Sequence, residues 1–390
     1  MMVLLFQACR DYEADYQVTQ KTPTLQIHVF TPEHPVVTRA DKGPVVADAL
    51  ERAIHDLHIW VFKNSDGTLV GYLHPSNVPE TGATYMMAVS DEFAKEHPNV
   101  DVYVMANVSA GNCGLSVALD KTTTRDKLDG ILIEHSGEND FFGLTKPQTV
   151  VPTTDPDNPS DLTKSLGLPM SGVLKDKQLT VNAPILSVGN VPVVRAVSKV
   201  RFVFSRSTSA GQDLKITKIT LDGGMIPKAE YLFLENAYAD RSSHVKNDQD
   251  DADYEGEATL RDFGTPPLLV PSSDNPAKFA FSGSQSGREY ENIINTELAK
   301  TESEREIIEG GRFYLRESDK LVKGRIYYTL GDSEVEKNEE FSLREPGDFT
   351  RNHTWIVYGY FAGSNNLRIF TVLFTEWETL TENNHGVHNW

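Results

Sequence analysis

Thr24-Leu25-Gln26-Ile27-His28-Val29 alternates polar and apolar side chains without a break. Successive side chains of a strand point to opposite faces, so Leu25, Ile27 and Val29 share an apolar face and Thr24, Gln26 and His28 a polar one. The segment predicts a strand with one side on a core and the other toward water.

Outward from it, the same period returns in short runs separated by Gly, Pro, Asn and Asp. Leu57 to Phe62 is mostly apolar, and Asn64-Ser65-Asp66-Gly67 is a hairpin turn into Leu69 to Leu73. Val100 to Val108 reads as a buried strand. Val191 to Ser205, Leu214 to Leu221, Tyr231 to Glu235, Arg325 to Leu330, Thr354 to Phe361 and Leu367 to Trp377 continue the series. Helices are expected near Val45 to Asp56, Thr123 to Leu132 and Glu302 to Glu309. Many short strands with few helices predict an all-β chain (mainly β) folded as antiparallel sandwiches.

With 390 residues the chain exceeds one ordinary domain. Gly189-Asn190-Val191-Pro192 interrupts the pattern, and a long strand over Val193 to Phe204 follows. The expected division is a tether over residues 1–22, a sandwich over 23–190, and a second over 191–390 that ends in a polar tail.

Lys and Arg total 37 against 56 Asp and Glu, a formal charge of -19. Such a chain is repelled by phosphate backbones and anionic headgroups, and no basic stripe offsets this, so nucleic acid is excluded as a partner. No run approaches the roughly 18 apolar residues of a spanning helix. There is no Gly-x-Ser-x-Gly elbow, His-Glu-x-x-His, phosphate loop or Cys-x-x-Cys, and no cofactor motif. His385 and His388 in the tail come nearest to a metal-ligand spacing among the histidines. Asp251, Asp253 and Glu255, followed by Gly256, resemble half a calcium loop, but position 12 is Asp262 where such loops favour a bidentate Glu. A solvated surface loop is the better reading, and no metal is expected. The residues favour an exported structural or binding protein over an enzyme.

The two cysteines, Cys9 and Cys113, are too few for a disulfide framework. Cys9 follows Met-Met-Val-Leu-Leu-Phe-Gln-Ala. That is either the tail of a lipoprotein signal, with the thiol acylated, or an ordinary apolar segment with a buried cysteine. Cys113, within Ala-Gly-Asn-Cys-Gly, reads as a small buried filler.

Several segments, in order along most of the chain, resemble the fimbrillin family that builds type V pili of Gram-negative bacteria (the FimA/Mfa-like pilins). They are Cys9, Val36-Val37-Thr38-Arg39-Ala40, Ile54 to Phe62, Tyr103-Val104-Met105-Ala106-Asn107 and Leu168-Pro169-Met170-Ser171-Gly172. Arg195 to Val200, Arg351-Asn352-His353-Thr354-Trp355, Glu376-Trp377 and the closing Trp390 complete the set. Residues 236 to 320 carry little of the pattern. The resemblance implies two transthyretin-like sandwiches and export as a lipoprotein acylated at Cys9. It also implies cleavage by an arginine-specific surface protease, placed at Arg39 with Arg52 as runner-up.

The cleaved N-terminal strand, with Leu25, Ile27 and Val29, would leave, and a strand from another subunit would fill its place. The donor is expected from Leu367 onward, with Leu367, Ile369, Leu373 and Trp377 on one face and Trp390 as a terminal anchor. Partners would be other fimbrial subunits, the protease, and a host protein or glycan. A stalk subunit is expected first and a tip or accessory adhesin second. A glycan-binding surface lipoprotein and a secreted hydrolase are the readings outside the family.

Overall fold

The computed structural model describes residues 22–31, 53–79, 82–108, 119–134, 168–223, 229–233, 257–282, 287–316, 318, 321–343, 351–363 and 367–374. Its strands build two β-sandwiches in tandem. The first uses β1 (Thr24–Phe30), β2 (Leu57–Lys63), β3 (Leu69–Leu73), β4 (Gly82–Ala88), β5 (Val100–Ala106), β6 (Leu132–Glu134), β7 (Met170–Lys177), β8 (Thr180–Asn182), β9 (Ile185–Pro192) and β10 (Val194–Arg195). One sheet runs β4-β1-β9-β8 and the other β10-β7-β5-β2-β3. Leu25, Ile27 and Val29 face Leu57, Ile59, Val102 and Val104 across one core. The opposite face of β2 and β5, with Trp60, Phe62, Tyr103 and Met105, packs on Leu128, Ile131 and Leu232. Burial on both faces is why these strands read as continuous apolar runs while β1 alternates.

The second sandwich uses β11 (Ser198–Ser207), β12 (Leu214–Leu221), β14 (Ala258–Asp262), β15 (Leu268–Leu269), β16 (Ser272–Ser273), β17 (Ile308–Leu315), β18 (Lys323–Leu330), β19 (Lys337–Ser342), β20 (Thr354–Phe361) and β21 (Leu367–Phe374), while β13 (Ala229–Tyr231) returns to pair with β6 of the first. Its sheets are β16-β11-β20-β21, with β17 also on β11, and β14-β12-β18-β19, with β15 also on β12. Phe202, Ile219, Ile326, Phe341 and Trp355 lie in the core between them.

Three details depart from the sequence reading. The strand expected over Val193 to Phe204 is divided: Val194–Arg195 pairs with β7, whereas Ser198–Ser207 pairs with β17 and β20. The chain thus leaves the first set of sheets at Ala196–Val197. The sheets are also mixed, since β1–β9, β11–β20 and β11–β16 run parallel.

The third concerns helices. Residues 53–56 of the expected Val45 to Asp56 helix are not helical, and the rest of that span lies outside the described residues. Arg125–Asp129 (α2) is helical, capped by the Thr124 side chain. Glu302–Glu304 is only a 3-10 turn, because Ile308 already begins a strand paired with β11. Pairing and burial outweigh local propensity there. Two helices were not expected: α1 (Asp91–Glu96) and α3 (Gly287–Leu298). Only Tyr290, Ile294 and a few neighbours of α3 are apolar, at a four-residue spacing within polar sequence. That face packs on Ile356 and Tyr358, and α3 supplies Glu291 and Asn295 to the buried Arg201. Burial pushes the Glu309 carboxyl up, but Arg201 and Arg312 prevail and hold it at about 2.

Residues from three of the motifs quoted for the family resemblance, Ser171, Arg195, Arg351 and Asn352, meet where the two sandwiches join. Arg351, buried, donates to the carbonyls of Leu232 (2.8 Å) and Tyr231 (2.6 Å). Ser171 Oγ donates to the same Leu232 carbonyl (2.6 Å). Arg195 donates to the Asn352 side chain (3.3 Å), and the Asn352 amide donates to the Val197 carbonyl (2.7 Å). Charged donors on buried carbonyls are the stronger kind of hydrogen bond, and here they fix the joint.

Asn107, fully buried just past β5, has a left-handed φ of 58°. Its side chain accepts from the His55 amide (2.8 Å) and donates to the carbonyls of Ala53 (2.8 Å) and Leu168 (2.9 Å). Asn107→Ala strands these buried groups and replaces a residue that tolerates the left-handed region by one that does not, a loss of about 2–4 kcal/mol in urea unfolding. Asn107→Gly keeps the backbone relaxed and recovers about 1 kcal/mol of that loss. Equal stability of Asn107→Ala and wild type would contradict the assignment.

Candidate functional site

Strand β1 lies inside its sheet, antiparallel to β4 and parallel to β9. Leu25, Ile27 and Val29 are 0% exposed, while the alternate residues are partly exposed. The Thr24 amide donates to the Pro184 carbonyl (3.0 Å) and the Val193 amide to the Phe30 carbonyl (2.9 Å), closing both ends. On the β9 side the register slips between Gln26 and Ile27, so that Gly189 faces Ile27.

The connectivity is unusual for so central a strand. Neither neighbour is joined to β1 by a hairpin, because β2 and β3 intervene before β4, and a parallel partner requires a crossover. β1 is the first of the described strands, and its covalent link to the others runs through residues 32–52. A cut within that stretch would leave it held by hydrogen bonds and packing alone. Arg39 and Arg52 fall in that interval; both, like Cys9, lie outside the described residues.

Magnitudes decide what an emptied slot could do. Three fully buried aliphatic side chains contribute about 5–9 kcal/mol. A whole domain is stable by only about 5–15 kcal/mol. Removing β1 would also unpair the facing edges of β4 and β9, which then offer a template for another strand. The vacated slot is therefore a strong acceptor for an extended apolar segment.

Strand β21, the expected donor, pairs with β20 on one side and is a sheet edge among the described strands. Leu367 is buried and Ile369 partly so, both against the core of the second sandwich. Leu373 is in the same strand, and Trp377 and Trp390 lie outside the described residues. So do the calcium candidates Asp251, Asp253 and Glu255, together with Cys113, His385 and His388.

One constellation escaped the sequence reading. Asp56 and His58 sit two residues apart on one face at the start of β2. The pairing of Ile59 with Leu73 brings His74 across from His58. Asp56 Oδ2 is 3.2 Å from His58 Nε2, and Asp56 Oδ1 is 2.8 Å from His74 Nε2. The imidazoles stack with centroids 4.1 Å apart. The hydrogen bond from His58 is the main influence holding the Asp56 carboxyl at about 2, against partial burial, with His74 assisting. A search for histidine pairs within one element misses this set, because it spans a hairpin whose register is offset by an irregularity between Val61 and Phe62.

No protein-family profile and no curated protein matches the sequence. Among solved structures, the chain is similar to a candidate cell adhesion protein of Parabacteroides distasonis, with 15% identity, 93% of this chain and 99% of that chain covered, and a TM-score of 0.50. A fimbrial protein of Bacteroides vulgatus aligns at 10% identity over 91% of this chain and 99% of that one, TM-score 0.48. The tip fimbrial protein Mfa3 of Porphyromonas gingivalis aligns at 12% identity over 90% and 99%, TM-score 0.44. The first is a likeness of fold; the other two are looser than a shared fold requires.

Two glycines beside β1 test how tightly the slot is built. Gly82 has φ +100°, and a Cβ there would sit 2.2 Å from the Val29 carbonyl oxygen; Gly189 has φ +90° with nothing within 4 Å of its would-be Cβ. Both Ala variants carry the backbone penalty, but only Gly82→Ala also collides with β1. Gly189→Ala should cost about 1 kcal/mol in urea unfolding and Gly82→Ala at least about 1 kcal/mol more. Equal losses would show that β1 shifts freely in its slot.

Proposed function

We propose that the protein is a structural subunit of bacterial surface fimbriae. In this reading it is exported as a precursor lipidated at Cys9, cut by an arginine-specific protease at Arg39, and polymerised by strand exchange. The observation that carries the reading is β1 itself, an interior strand with a fully buried face and no hairpin to either neighbour. The fold shared with a candidate cell adhesion protein supports a role at the cell surface. The acidic chain suits a solvent-facing polymer.

The exchange has a driving force. At home, β21 has a ladder on one side only among the described strands; in a neighbour's slot it would be paired on both, by β4 and β9. Burial of Leu367 and Ile369 at home is traded for burial in the slot, where Leu25, Ile27 and Val29 had lain, so the apolar terms largely cancel. A second ladder then decides the balance, at about 0.5–1.5 kcal/mol per hydrogen bond. Trp377 and Trp390 extend the donor beyond β21.

Purified protein treated with an arginine-specific protease tests this by light scattering, electron microscopy and mass spectrometry. Wild type should shed the peptide that contains residues 22–31 and polymerise, whereas Arg39→Ala should stay intact and monomeric. Cut protein lacking residues 378–390 should accept strands but end chains. Wild type that has lost residues 22–31 and remains a stable monomer would overturn the mechanism. Polymerisation blocked by Arg52→Ala and not by Arg39→Ala would move the cut to Arg52.

A further inference from the structure

We infer that Asp56, His58 and His74 form a binding site for a late first-row divalent metal ion such as zinc, on the edge hairpin β2–β3 of the first sandwich.

The chemistry of the donor set points there first. Two imidazole nitrogens and one carboxylate oxygen converge, with every ligand atom within 4.8 Å of the others. At bond lengths of about 2.0–2.2 Å, tetrahedral ligand atoms lie roughly 3.3 Å apart. The two nitrogen–oxygen separations, 3.2 and 2.8 Å, are near that value but run to different carboxylate oxygens, Oδ2 and Oδ1, so Asp56 would turn one oxygen toward the ion or share both. With the ligand atoms within 4.8 Å of one another, small turns of the carboxylate and the rings bring three donors onto one ion. His74, whose side chain is 48% exposed, is free to make that adjustment, while the His58 side chain is only 7% exposed. Imidazole suits zinc, copper and nickel, whereas calcium and magnesium take oxygen ligands, so the set selects against the latter.

Proton accounting supplies a second, independent observation. Tyr72 Oη donates to the Leu119 carbonyl (3.0 Å), which can only accept. Tyr72 has one proton, so at its 2.8 Å contact with His58 Nδ1 it must accept, and Nδ1 carries the hydrogen. His58 Nε2 then meets the carboxylate either as the second N–H of an imidazolium or as a lone pair beside a cation. The first option places a charged ring, nearly sealed from water, in a stack with His74 at 4.1 Å. A divalent ion accepts the lone pairs of both rings and neutralises the carboxylate. A metal-binding histidine whose other nitrogen is fixed by a hydrogen bond is the usual arrangement in such sites.

The backbone is held as well. The Asn107 amide donates to the Asp56 carbonyl (3.0 Å). Three protein ligands leave a fourth position open to water or to a side chain from outside. A bound ion would pin the first residues of β2 to the end of edge strand β3, close behind the stretch that contains Arg52.

The test uses full-length protein freed of metal with a chelator, then titrated with zinc by calorimetry and with cobalt by visible absorption. One ion should bind per chain, and the cobalt spectrum should show the intense bands of tetrahedral coordination. His74→Ala and Asp56→Asn, both at accessible positions, should abolish the site, and Tyr72→Phe should weaken it about tenfold. Circular dichroism of each variant establishes that it is folded. No binding by wild type would mean that protons alone occupy the cluster and would overturn the proposal. So would binding that survives His74→Ala but is lost when His385 and His388 are replaced, since that places the ion in the tail.

Discussion

An interior β-strand must satisfy two ladders and one buried face at once, and in the first sandwich all three demands fall on β1. Its apolar face closes the core, and its backbone joins β4 to β9, which have no other link within that sheet. Sheets usually secure such a strand by a hairpin. Here β1 is the first of the described strands, and residues 32–52 link it to the others. The strand that closes the core would thus depend on hydrogen bonds and packing alone if residues 32–52 were cut.

The joint between the two sandwiches lies outside β1. The hydrogen bonds that join the sandwiches, from Arg195 to Asn352 and from Ser171 and Arg351 to Leu232, run between residues outside β1. Arg351 and Ser171 converge on one carbonyl of a short segment, Ala229–Tyr231 and the two residues after it, that returns from the second half of the chain to pair with β6. The core beneath Trp60, Tyr103 and Leu232 is distinct from the one that β1 closes. Loss of β1 would thus open one layer of one sandwich and leave the joint and the second core in place. A polymer made by strand exchange needs that separation, since the fibre axis must run through structure that does not change.

Much of this was legible in the residues, for identifiable reasons. The alternation in Thr24 to Val29 specified both the strand and its buried face, because one side of β1 is core and the other is partly wet. Runs such as Val100 to Ala106 were recognisable as strands, although not that each face met a different core. Asn107, Ser171, Arg195 and Arg351 drew notice as motif residues, and their chemistry emerged only once the joint was visible. The unreadable parts share a cause: they depend on contacts between distant segments. The break at Ala196–Val197 is invisible in an apolar run, since each half is a good strand and only its partners differ. Helix α3 hides in polar sequence because a narrow stripe suffices to dock it. The Asp56–His58–His74 cluster needs a hairpin register that no single-strand pattern contains.

The most direct measurement is amide hydrogen exchange at β4 (Gly82–Ala88) and β9 (Ile185–Pro192), read in the intact protein, in cut monomer stripped of residues 22–31, and in the assembled polymer. Exchange at both strands should be slow in the intact protein, fast in the stripped monomer, and slow again in the polymer, with exchange in the Arg351 joint slow throughout. If β4 and β9 stay protected in the stripped monomer, or exchange freely within the polymer, the slot of β1 is not where subunits join.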